Sequence, residues 1–275
     1  MNEEHQRLGS LWVEVGGLRM HARAATDAAN AGVLPVVLVH GLVVSSRYMI
    51  SLAERLAERT QVYTPDLPGF GKSDHPKHPL DIAALADALA GWMRATGLAR
   101  AALLGNSMGC QVIADMALRY PSLVARAVLV GPTTDRDGRH VLEQLRRLLA
   151  AAPYEAPGLV GVQVGDTWSA GLREALATAR FAIEDRIEAK LPALHMPVLV
   201  VSGEHDPLAP PRWAAELAGL LPYGQLHILA GGGHALNYSV PDQLLEIVAP
   251  FLNQQSPTKV ADDSAELFAA GAAAG

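Results

Sequence analysis

Short apolar runs alternate with amphipathic stretches along most of the chain. Residues 11–15 and 18–22 alternate apolar and polar positions about Gly16-Gly17, the pattern of a β-hairpin. Residues 33–39 form a nearly continuous β-branched run, as expected of a strand buried on both faces. Further strands are predicted over 61–64, 101–104, 125–130, 197–202 and 225–229. Between them, apolar residues at helical spacing predict helices over 47–58, 82–93, 108–119, 212–220 and 244–252, with Asp81 placed to cap the second. Strand and helix alternate with short links. That order predicts an α/β fold, a mostly parallel sheet with helices on both faces.

Residues 133–194 break the rhythm. They contain helical stretches at 141–150, 172–182 and 183–191, interrupted by Pro153, Pro157 and several glycines, and no convincing strand. We read them as a helical cap inserted over the carboxyl edge of the sheet. The expected division is then a core of residues 1–132 and 195–253, a cap of 133–194, and a flexible tail of 254–275 ending in AELFAAGAAAG.

Composition narrows the class. Half of the 275 residues are apolar, enough for a full-sized core in a chain that would bury roughly three quarters of its unfolded surface. That hydrophobicity excludes disorder. The net charge is −6 and no basic run stands out, so no nucleic-acid partner is expected. The single cysteine, Cys110, allows no intrachain disulfide and no cysteine-based zinc site. The longest apolar stretch, 33–44, includes Pro35, His40 and Gly41 and is too short to cross a bilayer. A cytoplasmic protein, monomer or homodimer, with no membrane partner is the expectation.

Gly105-Asn106-Ser107-Met108-Gly109 fits G-x-S-x-G and falls between a predicted strand and a predicted helix, the context that motif requires. A residue turning sharply off a strand sits at strained backbone angles and needs small neighbours, which Gly105 and Gly109 supply. Such a turn lifts the Ser107 hydroxyl above the sheet edge. It also sets the Met108 N–H at a helix N-terminus, where a developing oxyanion is stabilised. The side chains of Asn106 and Met108 are assigned no chemistry.

A serine nucleophile needs a base, and the base an orienting carboxylate. Of ten histidines, His234 follows the last predicted strand in a glycine run, Gly231-Gly232-Gly233, that lets a loop reach across the sheet edge. His227 lies inside a strand pattern, and His75 and His78 in a proline-rich loop. Asp206 follows the strand at 197–202 and stands one helix and one strand before His234. Asp135, after the strand at 125–130, competes for the same role. The order Ser107, Asp206, His234 is the one expected for a G-x-S-x-G elbow on an α/β sheet. A second oxyanion donor is expected from the Leu42 N–H in His40-Gly41-Leu42, with His40 itself structural.

Together with Asp66 to Ser73 (DLPGFGKS) and Gly203-Glu204-His205-Asp206-Pro207, these stretches make the chain resemble the α/β-hydrolase superfamily over residues 10–253. The resemblance implies an eight-stranded sheet with a helical cap between the sixth and seventh strands. It implies a Ser107–His234–Asp206 triad and no cofactor or metal. It also makes Asp66 to Ser73 a structural turn. The elbow G-N-S-M-G is similar to that of the carbon–carbon hydrolases of ring-cleavage products. Those usually carry a second glycine after the elbow, where this chain has Cys110, and a glycine-rich loop where it has Leu42-Val43-Val44. The expected activity is hydrolysis of small, mostly apolar carboxylic esters, with Leu145, Tyr154, Trp168, Leu172 and Phe181 lining the substrate pocket. Carbon–carbon hydrolysis, a cofactor-free haloperoxidase or lactonase, and a non-catalytic small-molecule receptor are the alternatives.

Overall fold

The structure is a computed structural model, and it describes residues 8–26 and 33–253. The tail expected at 254–275 lies outside the described residues.

Eight strands form one sheet: β1 (Gly9–Val15), β2 (Leu18–Ala25), β3 (Val36–Val39), β4 (Val62–Pro65), β5 (Ala101–Asn106), β6 (Val124–Val130), β7 (Val198–Gly203) and β8 (Gly224–Leu229). Their order is β1-β2-β4-β3-β5-β6-β7-β8. Only the pairs made by β2 are antiparallel; β4 through β8 pair in parallel. The hairpin at Gly16-Gly17 forms as expected, with Val15 opposite Leu18.

The period of two along each strand divides the core into two layers. On one face Val37, Val39, Leu103, Leu129 and Val200 pack with helices α2 (Ile82–Ala95), α3 (Met108–Arg119) and α8 (Pro211–Leu220). On the other, Val36, Leu38, Leu104, Val130 and Val201 meet α1 (Ile50–Leu56), α9 (Leu236–Ser239) and α10 (Pro241–Asn253). Odd and even residues of the same strand therefore serve opposite layers, which is why the central strands read as unbroken apolar runs. Asp81 caps α2 by accepting from the Ala84 N–H at 2.8 Å.

The chain leaves β3 toward β4 on one side and returns to β5 on the other. Open α/β sheets form a crevice at the carboxyl ends of the strands where the order reverses in this way. The elbow after β5 and the loop after β3 both end there. Gly109 makes their approach feasible: a Cβ on it would stand 2.8 Å from the His40 carbonyl oxygen and closer still to that of Val39.

Between β6 and β7 lie four helices, α4 (Val141–Ala151), α5 (Leu159–Ala170), α6 (Leu172–Glu184) and α7 (Ile187–Lys190). The sequence pattern misses α5. Its sequence, LVGVQVGDTWSA, holds two glycines and three valines, and each glycine costs about 1 kcal/mol relative to alanine in a helix. Tertiary contacts override that. Leu159 and Val162 join the core, and the buried Asp166 accepts hydrogen bonds from Ser45 Oγ at 2.7 Å and Arg47 Nη1 at 3.3 Å. The expected boundary between helices at 182/183 falls instead after Glu184, where Asp185 turns to extended backbone.

Substituting Gly109→Ala should destabilise the protein by about 1–3 kcal/mol, the usual cost of overpacking a filled interior. Urea unfolding reads the change. An unaltered midpoint would mean that the elbow and the end of β3 do not press together.

Candidate active site

Ser107 takes φ 56° and ψ −123°, a conformation that a residue with a side chain adopts only under constraint. Its N–H donates to the Val130 carbonyl at 3.0 Å, and its carbonyl accepts from Cys110 N–H at 3.0 Å, starting α3. Met108 is the first residue of that helix, so its N–H has no acceptor within the helix and lies at the positive end of the helix dipole. The loop after β3 arrives alongside: a Cβ on Gly41 would be 3.2 Å from Ser107 Cβ. Val43 in this loop also has a positive φ, 52°, unusual for a β-branched residue. Backbone strain thus falls on both sides of one crevice. Leu42, Ser107, Met108 and His234 all line the cavity that opens there.

His234 Nδ1 lies 2.8 Å from Asp206 Oδ2. A carboxylate can only accept, so Nδ1 carries the hydrogen and the Nε2 lone pair is left free. Asp206 Oδ1 is already engaged by the N–H groups of Leu208 at 2.8 Å and Ala209 at 2.9 Å, which fixes the carboxylate. Burial favours the neutral ring and is the largest single influence on it. The charge and hydrogen bond of Asp206, with the more distant charge of Glu155, outweigh burial and raise the His234 pKa above its ordinary 6.5. Asp135 is committed elsewhere. Its buried carboxylate binds Arg147 Nη1 at 2.8 Å and Arg212 Nη2 at 2.6 Å. Glu204 accepts from the exposed Gly231 N–H at 2.9 Å.

Two residues assigned no role from sequence hold this arrangement. Asn106 Nδ2 donates to the carbonyls of Val130 at 3.2 Å and His234 at 3.1 Å, while its Oδ1 accepts from the buried Tyr48 hydroxyl at 3.0 Å. Glu155 Oε1 accepts from the His234 N–H at 2.5 Å and the Ala235 N–H at 3.0 Å. Asn106 was findable, since it adjoins the serine. Glu155 lies in the proline-interrupted stretch, where nothing local marks it.

The cavity measures about 990 Å³. Leu145, Trp168 and Leu172 line it, with Trp168 at the mouth and 89% exposed. Two expected lining residues are placed otherwise. On α6, Leu172, Ala175, Leu176, Ala179 and Ile183 face the cavity. At about 100° per residue, Phe181 falls on the opposite side of the helix from Leu172. Tyr154 stacks instead on the His205 ring, centroids 4.6 Å apart. Few polar groups enter: Tyr48, Thr133, Thr134, Gln144, Gln163 and Thr167 join Ser107, Asn106 and His234.

Three other groups of chemistry-bearing residues have partners that explain them. His40 Nδ1 donates to the Gly41 carbonyl at 2.8 Å, Nε2 accepts from the Leu67 N–H at 3.0 Å, and burial lowers its pKa. Cys110 is buried, its thiol bonded to the Gly105 carbonyl at 3.2 Å and pushed far up in pKa by burial, so it is held un-ionised. A second Ser–His–Asp chain exists: Ser10 Oγ is 3.0 Å from His21 Nε2, and His21 Nδ1 is 2.7 Å from Asp66 Oδ2. It sits on the β1–β2 side of the sheet, and Asp66 also accepts from the Ser46 and Lys72 N–H groups, at 2.6 Å and 3.0 Å. None of its three members lines the cavity. It ties the DLPGFGKS turn to β2.

Fold and crevice together define a class. The model of an alpha/beta hydrolase family matches residues 36–247, and the chain belongs to that family; its general activity is that of a hydrolase. A pimeloyl-[acyl-carrier protein] methyl ester esterase of Neisseria meningitidis is 30% identical over 227 residues, covering 73% of this chain and 85% of the relative. An uncharacterised protein of Mycobacterium tuberculosis is 28% identical over 262 residues, 82% of this chain and 76% of its own length. Among solved structures, a serine hydrolase involved in carbazole degradation superposes with a TM-score of 0.75 at 21% identity, covering 89% of this chain and 98% of that one. Among the described residues no helix is long and apolar enough to cross a membrane.

The raised pKa of His234 has a consequence for stability. A group whose pKa rises on folding adds stability that is complete below its unfolded value, near 6.5, and fades as pH climbs through the folded value. The unfolding free energy of the wild type, less that of His234→Gln, should therefore be larger at pH 6 than at pH 9. Denaturant titration at the two pH values checks this, and the opposite order would mean that Asp206 does not hold the ring's charged form.

Proposed function

We propose that the protein is a serine hydrolase of small, mostly apolar carboxylic esters, acting through an acyl-enzyme. One observation carries the reading. His234, bonded at 2.8 Å to the buried Asp206, lines a large apolar cavity together with the strained Ser107.

The chemistry follows from the geometry. His234 Nε2 takes the Ser107 proton as Oγ attacks the carbonyl carbon. Asp206 keeps the ring in the tautomer that accepts and stabilises the imidazolium that forms. The Met108 and Leu42 N–H groups receive the oxyanion, each such donor being worth about 3 kcal/mol of barrier in comparable sites. The imidazolium protonates the leaving alkoxide. Water, deprotonated by the same nitrogen, then releases the acid.

Helices α4 to α6 form a cap over the site and supply its apolar walls. Leu145, Trp168 and Leu172 on those helices would hold the acyl or alkoxy group. The likeness to a methyl ester esterase supports the choice of ester over other acyl compounds. The cavity's size favours a medium-length chain over acetate, since drug-sized ligands occupy pockets of about 300–1,000 Å³.

Ser107→Ala should abolish turnover of p-nitrophenyl acyl esters and labelling by a fluorophosphonate, while thermal unfolding stays nearly unchanged. Retained turnover would overturn the assignment. Asp206→Asn should lower kcat by about 10⁴-fold, whereas Asp135→Asn should act on stability through Arg147 and Arg212. A panel of ester chain lengths, lactones, thioesters and a ring-fission diketone identifies the substrate class; preference for the diketone would replace esterase by carbon–carbon hydrolase.

A further inference from the structure

The segment joining α4 to α5 touches the loops of both His234 and Asp206. Tyr154 stacks on His205, the neighbour of Asp206. Glu155 Oε1 accepts from two successive N–H groups, those of His234 and Ala235, and Oε2 accepts from Ser239 Oγ at 2.8 Å. Ser239 Oγ in turn accepts from the Ala156 N–H at 3.1 Å. The fit leaves no room for a side chain at Gly233, where a Cβ would meet Glu155 Oε1 at 2.6 Å.

This is more than a contact between layers. A carboxylate that receives two adjacent backbone N–H groups fixes the direction of that stretch of chain, and hence of the ring attached to it. Asn106 holds the other side of the same peptide unit by donating to the His234 carbonyl. The backbone of His234 is thus gripped at its N–H by Glu155 and at its C=O by Asn106. Three charged or polar side chains set the histidine, and one of them comes from the insertion rather than the core.

We propose that Glu155 is a positioning residue for His234, holding its loop so that the ring stays between Asp206 and Ser107. The proposal rests on His234 being the general base. It makes the segment between α4 and α5 part of the catalytic machinery: any movement that withdraws Glu155 slackens the base.

The charges facing the imidazole are Asp206, from the loop after β7, and Glu155; the Tyr48 hydroxyl and the Cys110 thiol, packed nearby on other elements, are held neutral by burial. Removing the Glu155 charge should therefore lower the pH at which the ring titrates. Two variants separate geometry from charge. Glu155→Gln keeps an oxygen able to accept both N–H groups but loses the charge. Glu155→Ala loses both.

Two measurements are made on the full-length protein. The first is the His234 imidazole titration by NMR, assigned by the resonance missing in His234→Gln. The second is kcat and KM against pH on the ester that turns over best. Glu155→Ala should lower kcat by about 10²-fold, the scale of a misplaced catalytic group, with KM little changed. Glu155→Gln should recover most of kcat while its imidazole titrates at lower pH than in the wild type.

A Glu155→Ala protein with wild-type kcat and an unmoved titration would overturn the proposal. So would a loss of melting temperature in both variants with the titration unmoved, since that describes packing alone. If Glu155→Ala does not fold, the Glu155→Gln titration decides: an unshifted midpoint overturns the proposal. Should the wild type neither take a fluorophosphonate nor cleave any ester, the serine-esterase reading fails. The NMR titration would still show whether Glu155 holds His234.

Discussion

The site depends on one steric constraint: the chain must leave β5 and enter α3 within a single residue while pressed against the end of β3. Only a backbone turned to positive φ at Ser107 does this, and only if no Cβ intervenes at Gly109. The strain is of the order of 1–3 kcal/mol. The core layers on both faces of the sheet over-determine it, since Val39, Leu103 and Leu129 pack on one side and Leu38, Leu104 and Val130 on the other. From that turn follow the outward hydroxyl, the free N–H of Met108 and the closeness of the loop carrying Leu42.

Electrostatics then selects among several buried carboxylates. Asp66, Asp135, Asp166 and Asp206 are all buried, and a buried charge persists only where it is paired or hydrogen-bonded. Asp135 is neutralised by Arg147 and Arg212, Asp166 is met by Ser45 and Arg47, and Asp66 takes backbone N–H groups with His21. Among the described residues no guanidinium pairs with Asp206. Its partners are two backbone N–H groups and the His234 ring, and its charge raises the pKa of the imidazole. The trio Ser10–His21–Asp66 makes the complementary point. The same three residue types in hydrogen-bond contact, away from the cavity, brace a turn.

Much of this was legible in the chain because it is written locally. The hairpin at Gly16-Gly17, the cap at Asp81 and the G-x-S-x-G elbow depend on residues a few positions apart, and the structure contains each. What escaped was set by distant contacts. Helix α5 forms against its own glycines because Leu159, Val162 and Asp166 find partners in the core and in the loop after β3. Phe181 misses the cavity because helical phase puts it opposite Leu172, whose side of α6 faces the cavity. Glu155 reaches His234 across 79 positions, which no spacing rule anticipates.

The order of strands and helices, the apolar parity of the sheet and the identity of a serine, a histidine and two competing aspartates were determined by the amino-acid sequence alone. Those properties depend on neighbours along the chain and on the periods of two and about 3.6 residues. The tertiary structure decided which aspartate meets His234, which side of α6 faces the cavity, and that a residue between α4 and α5 grips the histidine loop. Each of these is a meeting of groups far apart in the chain, and it exists only once the sheet has brought their loops to one edge.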